Sequence, residues 1–346
     1  MKVEYDYLFV THLPAFYKVN LYNEIAKHCK VFVIFVAKTS LIRTPDFTNA
    51  ECTFDHCFLN EEHFEKRSLV SSLLKLFLKI RKIKYQKVVV GGWDLLEFWF
   101  FAFASKRNKN SLALESSIYE SNLQGLRVWL KKLFMSRMSL VFPSGEPHQA
   151  LLRSIKYDGK VQTTKGVGIF NYTGKVVQTR SYQGKYLYVG RLAPEKNLMI
   201  LLEAFRQLPE LSLTLVGQGP LREMLLQHAP KNVHILGHIP NALLAKTYQQ
   251  HDVFILPSYK EPWGLVVEEA LFYGMPVIAS ERVGCAKDLI IHHQVGKLFS
   301  PTSVSSLLEA ITWVGQHYTQ LSEKALRVDF QERDQFQVQQ YLAVLP

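Results

Sequence analysis

The sequence predicts two α/β domains in tandem, each an open, twisted parallel sheet with helices on both faces. Three observations predict it. The chain has 346 residues, and single cores tend to split above roughly 250–300 residues. Strand-like runs alternate with helical patterns of roughly 10–15 residues, which is how βαβ units read. An unpatterned stretch at residues 165–184, with scattered Gly, Tyr and polar residues, divides that alternation in two. Right-handed crossovers then leave a parallel sheet as the outcome for each half.

In the first half, residues 7–11 (YLFVT) read as a strand, 17–28 as a helix and 31–36 as a strand. An irregular stretch containing Cys52 and Cys57 precedes a basic helix. A strand at 87–90 runs into Gly91-Gly92, followed by a helix at 94–105 and a strand at 111–114. A helix at 122–135, a strand at 140–142 and a helix at 146–155 complete it. In the second half, strands are expected at 186–189, 212–216, 233–236, 253–256 and 276–279. Helices lie between them at 198–208, 221–228, 242–250 and 265–273. Gly274 is placed to cap the last of these, and Pro276 stops it. The tail from about residue 321 is helical in pattern and is expected to pack back on the first domain. The expected division is 1–170, 171–320 and a C-terminal helix in 321–346. No repeat of 20–50 residues marks a solenoid.

Composition narrows the class. Hydrophobic residues make up 48% and charged residues 21%, a mixture suited to packed cores and unlike disordered or fibrous chains. No run approaches the roughly 18–20 apolar residues of a membrane-spanning helix. The opening Met1-Lys2-Val3-Glu4-Tyr5-Asp6 carries acids and runs straight into a strand, unlike a secretory signal. Four cysteines, Cys29, Cys52, Cys57 and Cys285, make no disulfide framework and no zinc spacing. A soluble protein of a reducing compartment is expected.

The formal charge of +11 is unevenly spread. Residues 1–170 hold 25 Lys/Arg against 15 Asp/Glu, and residues 171–346 hold 16 against 15. Two segments concentrate the excess, 66–87 and 127–137, where Leu, Ile, Phe and Trp interleave with Lys and Arg. Such helices suit an anionic membrane surface, although lysines solvating the outer face of a core helix give the same pattern. Nucleic acid is not expected, because no recognition motif accompanies the charge.

In open parallel sheets, ligands bind beyond the carboxyl ends of the strands. Those ends in the second half read Gly190-Arg191-Leu192-Ala193-Pro194-Glu195-Lys196-Asn197, Gly217-Gln218-Gly219-Pro220, Gly237-His238-Ile239-Pro240, Pro257-Ser258-Tyr259-Lys260-Glu261-Pro262-Trp263-Gly264 and Ser280-Glu281-Arg282-Val283-Gly284. Each carries a glycine, which lets backbone approach a ligand closely. Gly264 opens a helix, so the amides of Leu265 and Val266 form an anion site at its positive end. Arg191 and Lys196 add two cations, enough to hold a diphosphate. Glu269 lies on the stripe Leu265, Val266, Glu269, Tyr273, where a carboxylate needs donors such as ribose hydroxyls. Glu261 is placed to meet hydroxyls beyond the diphosphate, and Glu268 is expected to be solvated.

These residues resemble the retaining nucleotide-sugar glycosyltransferases of the GT-B fold, glycosyltransferase family 4 (glycosyl transferases group 1). The resemblance lies in residues 188–196 (YVGRLAPEK), 215–220 (LVGQGP), 252–270 (DVFILPSYKEPWGLVVEEA), 273–279 (YGMPVIA) and Gly296-Lys297-Leu298. It covers essentially all of 185–310, and the first half matches in general layout. It implies two Rossmann-like domains facing across a cleft, with the acceptor bound by the first and the donor by the second. Arg191 and Lys196 would stabilise the leaving diphosphate, with Glu261 on the donor sugar and Glu269 on the ribose. Gly190, Gly217, Gly264, Leu265 and Val266 would line the donor, and Gly237, His238 and Ile239 the base. The catalytic set is then Arg191, Lys196 and Glu261, the reaction retaining.

No cofactor is expected beyond the donor, a UDP-, GDP- or dTDP-sugar. With Lys and Arg at the diphosphate and no Asp-x-Asp motif, no metal is expected. Many relatives place a histidine after the fourth strand of the first domain, where this chain has Leu114-Glu115-Ser116-Ser117. Glu115 or Ser116 stands in that place, and His12 and Trp93 are further acceptor-side residues. The expected enzyme builds a bacterial surface polysaccharide or lipopolysaccharide on a glycan or lipid-linked acceptor, peripheral to the inner face of the membrane. The alternatives are an epimerase or small-molecule transferase of the same fold, or a non-catalytic glycan-binding protein on that scaffold.

Overall fold

The computed structural model describes residues 4–121, 124–172, 174, 176 and 178–345. Two compact units divide it. One comprises Met1–Asn171 with Gln331–Pro346, the other Tyr172–Phe330.

The first unit is built on strands β1 (Glu4–Thr11), β2 (Val31–Phe35), β3 (Asp55–Phe58), β4 (Lys84–Val90), β5 (Asn110–Leu114), β6 (Leu140–Pro143) and β7 (Lys160–Val161). All pair in parallel, in the order β3-β2-β1-β4-β5-β6-β7. Its helices are α1 (Phe16–Ala26), α2 (Leu69–Ile80), α3 (Leu96–Ala104), α4 (Gly125–Met135) and α5 (Glu146–Ser154). Strand β2 (VFVIF) is buried at every position, as a strand covered on both faces must be. One face packs against α2, α3, α4 and α5 through Leu76, Phe98, Phe101, Phe134 and Leu151.

The second unit has β8 (Lys185–Val189), β9 (Ser212–Val216), β10 (Val233–Leu236), β11 (Val253–Leu256), β12 (Val277–Ser280) and β13 (Gly296–Phe299). The order is β10-β9-β8-β11-β12-β13, again all parallel. Helices α6 (Met199–Arg206), α7 (Arg222–His228), α8 (Asn241–Gln249), α9 (Leu265–Phe272), α10 (Val304–Gln316) and α11 (Tyr318–Leu326) accompany it. Gly274 takes a left-handed φ of 71° behind α9, the capping position the sequence predicts.

Several expectations need correction. The stretch read as irregular contains β3, whose DHCF pairs only with β2 at the sheet edge and so lacks a core-strand pattern. Of the basic segment 66–87, only 69–80 is α-helical, and Lys84 and Lys87 belong to β4. Strands β7 and β13, helix α10 and a π-helical turn at Ala286–Ile291 were not foreseen. Residues up to Asn171 belong to the first unit, where the Ile169 amide donates to the Tyr17 carbonyl at 2.9 Å and Phe170 is buried. The second unit runs to Phe330 instead of 320, because α11 packs on α9: Ser322 donates to the Gly274 carbonyl at 2.7 Å.

The last helix, α12 (Phe330–Leu342), belongs to the first unit from Gln331 onward. Tyr341 stacks on Phe142 with ring centroids 4.3 Å apart and meets Tyr7 and Phe9 edge-on. The Tyr7 hydroxyl donates to the Tyr341 carbonyl. The C-terminal segment thus shares with α1, whose Tyr22 stacks on Phe9, the sheet face that α2 to α5 leave open.

Candidate functional site

In each sheet the strand order reverses once, and ligands of open α/β sheets bind at that switch point. In the second unit the switch lies between β8 and β11, which are direct neighbours. The loops leaving their carboxyl ends carry Arg191 and Lys196 on one side and Glu261 and Gly264 on the other. Topology therefore gathers the residues that the sequence singled out as catalytic.

Backbone contacts fix these loops. The Gly190 amide donates to Val216 O at 3.0 Å, Leu192 to Gln218 O at 2.8 Å and Gly217 to Gly237 O at 3.2 Å. A Cβ on Gly217 would lie 1.9 Å from the Gly190 carbonyl oxygen. The β9 loop thus uses the missing side chains of Gly217 and Gly219 to approach the β8 loop, where a Cβ on Gly219 would lie 2.4 Å from the Leu192 carbonyl oxygen. Gly237 differs, since a Cβ there would meet nothing within 4 Å. Its neighbours His238 and Ile239 are half-buried. Asn197, in a left-handed conformation, donates to the carbonyls of Pro257 and Pro301 at 3.2 and 2.8 Å. The Tyr259 amide donates to Glu195 O at 2.9 Å, so the β8 and β11 loops form one body.

On that body Lys196 forms an ion pair with Glu261, their side chains 13% and 12% exposed. The Ser258 hydroxyl donates to the same carboxylate oxygen at 3.1 Å. Arg191 is more exposed and pairs with Glu195, four residues on. The expected cations are present, each already held by an acid.

Helix α9 starts at the same place. Gly264, its N-cap, has a φ of 100°, a conformation that favours glycine. The Val267 amide donates to Gly264 O at 2.9 Å, and the amides of Leu265 and Val266 have no acceptor inside the helix. Glu268 is buried, contrary to the expected solvated position. It accepts from the Trp263 indole N–H at 2.7 Å, which anchors the turn before α9 to its first turn. Glu269 is half-buried and accepts from the Tyr248 hydroxyl at 2.7 Å. Burial pushes its carboxyl up to about 7; the Tyr248 hydrogen bond opposes the rise and the Glu268 charge adds to it.

In the first unit the switch point lies between β1 and β4. His12 follows β1 and Asp94 follows β4, and His12 Nε2 lies 2.8 Å from Asp94 Oδ2. Burial pushes the Asp94 carboxyl up, but the His12 hydrogen bond and charge, with Lys18 beyond, hold it below the ordinary carboxylate range. Glu115, after β5, pairs with the buried Lys18 at 2.7 Å. Burial disfavours the charged ammonium, and Glu115 more than offsets this, so the Lys18 pKa is raised. Ser116 is half-buried beside it. The Trp93 carbonyl accepts from Trp99 Nε1 at 2.8 Å, and Lys131 lies over the Trp93 ring.

Sequence reasoning missed Ser258, Glu195, Tyr248 and Lys18 as parts of these clusters, whereas Gly91-Gly92-Trp93-Asp94 stands at a strand end as a candidate acceptor contact. Ser258 stands three residues before Glu261 and Glu195 four after Arg191, spacings that could have flagged them. Tyr248 and Lys18 meet their carboxylates only through the fold.

Residues 175–329 match the family described as glycosyl transferases group 1. The match spans almost the whole second unit. A sulfoquinovosyl transferase of Arabidopsis thaliana is 37% identical over 122 residues, 34% of this chain and 24% of that protein. A putative teichuronic acid biosynthesis glycosyltransferase of Bacillus subtilis, TuaC, is 39% identical over 127 residues, 36% of this chain and 31% of that protein. The chain thus spans about a quarter to a third of the length of these curated relatives. Over the whole chain the fold is similar to sucrose-phosphate synthase from Thermosynechococcus elongatus, with a TM-score of 0.73, 19% identity and 98% of both chains covered. The apo lipopolysaccharide outer core galactosyltransferase WaaB gives 0.73 at 11% identity, with 99% of both chains covered. The group 1 segment therefore sits within a fold of the predicted kind, two parallel-sheet α/β domains with GT-B glycosyltransferases as structural neighbours. Among the described residues no helix is long and apolar enough to cross a membrane.

Proposed function

We propose that the protein transfers a glycosyl group from a nucleoside-diphosphate sugar to a glycan or lipid-linked acceptor in the synthesis of a surface polysaccharide or lipopolysaccharide. One observation carries this: Lys196, Ser258 and Glu261 form one hydrogen-bonded cluster at the switch point of the group 1 segment. A donor diphosphate fits between cations and the first amides of α9. As the bond from the anomeric carbon to phosphate breaks, negative charge grows on the diphosphate. Lys196 and Arg191 stabilise it, usually the largest catalytic contribution in such sites. Glu261 receives the donor sugar hydroxyls and Glu269 the ribose hydroxyls, while the loop at Gly237, His238 and Ile239 takes the base.

Arg191 and Lys196, both on the loop after β8, need no metal for this chemistry. The resemblance to family 4 supports retention of anomeric configuration. His12, Trp93, Glu115 and Ser116 form the acceptor side, and the enzyme works at the inner face of the membrane as a peripheral protein. A chain similar to this one in fold, Anabaena Alr3699/HepE, is described in complex with UDP-glucose, which supports a UDP-sugar as the first donor to try. Calorimetric titration with UDP, GDP and dTDP, then a nucleotide-sugar panel read by nucleotide release with and without lipid extract, tests the reading. Micromolar binding of one nucleotide and acceptor-dependent release are expected. Absence of all nucleotide binding would favour a non-catalytic glycan-binding protein.

A further inference from the structure

We infer that the outer side of the helix layer α2–α3–α4 docks flat on an anionic lipid bilayer, with an apolar ridge inserted among headgroups and cations around it. This specifies the membrane part of the proposed reading, and it rests on the first unit alone.

The sequence leaves two readings of α2, a helix for an anionic membrane surface or a core helix whose outer face is solvated by lysines, and its burial favours the first. Buried positions of α2 are Ser72 and Leu76 only. Val70, Leu74, Phe77 and Leu78, at the i, i+4, i+7, i+8 spacing of one helix face, are all exposed, Val70 by 78% and Leu74 by 58%. Two lysines are instead drawn to the flank: Lys75 donates to the Leu59 carbonyl at 2.8 Å, and Lys79 lies over the Phe32 ring. Helix α4 repeats the pattern, with Leu126, Trp129 and Leu130 outward, 70%, 57% and 37% exposed. Between them α3 exposes Leu96 and Phe103. It meets α2 through Phe77–Phe100 and α4 through Trp99–Phe134, so the three faces adjoin.

Charge selects the occupant. The three helices contain one acid, Glu97, which is buried and hydrogen-bonded by Arg67 at 3.1 Å. Cations flank the ridge, and Arg81 and Arg137 lie over the exposed Phe77 and Phe103 rings. Apolar and aromatic side chains edged by Lys and Arg, without acids, match the boundary between headgroups and acyl chains of an anionic leaflet. A second copy of the same face would bring like charges together.

The test is flotation with phosphatidylcholine vesicles, with and without phosphatidylglycerol, at low and high salt. The full chain should float with anionic vesicles, less so at high salt, and not with neutral ones. Leu74→Ser with Trp129→Ser, both at exposed sites, should lower partitioning by about tenfold or more. Lys82→Glu with Lys132→Glu should do the same by the electrostatic route, with unchanged circular dichroism in both cases. No flotation of the parent chain, or flotation of both variants equal to that of the parent, overturns the inference. A dimer that the Ser variant dissociates, without vesicle binding by the parent, reassigns the face to a second copy and overturns it too. Nucleotide titration of the same samples reports separately on the donor reading.

Discussion

Lys196 and Glu261 share one ion pair across the carboxyl ends of neighbouring strands, 65 residues apart in sequence. The pair is mostly buried, so each partner relies on the other for solvation. If the lysine also faces a departing diphosphate, Lys196→Ala should lower kcat by about 100-fold or more. Glu261→Gln, which keeps a hydrogen-bonding shape, should cost less in stability than Lys196→Ala. Thermal melts and steady-state rates of both variants separate the structural part from the chemical one.

If Glu269 receives the ribose as proposed, donor binding should depend on pH. Its folded value is raised, so the native state keeps a proton up to about pH 7 that the unfolded chain has already released. That contribution to stability is present at low pH and is lost as pH rises through about 7. Ribose hydroxyls donating to Glu269 favour the ionised form, so nucleotide binding below that pH should expel a proton. Calorimetry in two buffers of different ionisation enthalpy should show a buffer-dependent heat, absent in Glu269→Gln. Equal heats in wild type would sink the ribose assignment.

Gly217 is required by its neighbour. A side chain there would collide with the Gly190 carbonyl at 1.9 Å, both in backbone that cannot swing aside. Gly217→Ala should destabilise the second unit by roughly 2–3 kcal/mol and separate the β8 and β9 loops. Gly237→Ala, where a Cβ meets nothing within 4 Å, should be near neutral in the same melt.

Trp263 and Glu268 lock the start of α9. Glu268→Ala leaves a buried indole N–H without its 2.7 Å acceptor and should cost about 1–3 kcal/mol. Glu268→Gln retains an acceptor and should restore most of that in denaturant melts.

His12 and Asp94 lie in the unit that the group 1 match does not cover. His12→Asn should depress transfer to acceptor by about tenfold or more while leaving nucleotide affinity unchanged, on general acid–base magnitudes. Asp94 is depressed, so its contribution to stability is present above the unfolded carboxylate range and is lost as pH falls through the native value. In His12→Asn that acid-side loss should shrink, as the pH dependence of the melting temperature can show.

The sequence by itself determined the strand–helix alternation, the parallel sheets and the strand-end loops of the second half, because period, glycine placement and βαβ spacing are local signals. Edge elements such as β3 and β7 escaped it, since a strand paired on one side needs no apolar run. Only the tertiary structure decided the partners: Tyr248 on Glu269, Trp263 on Glu268, Asp94 on His12, and the outward leucines of α2. Those follow from which chain segments the sheet order brings side by side. A helical stripe shows that one face is apolar, and the packing of neighbours alone decides whether that face looks inward or out.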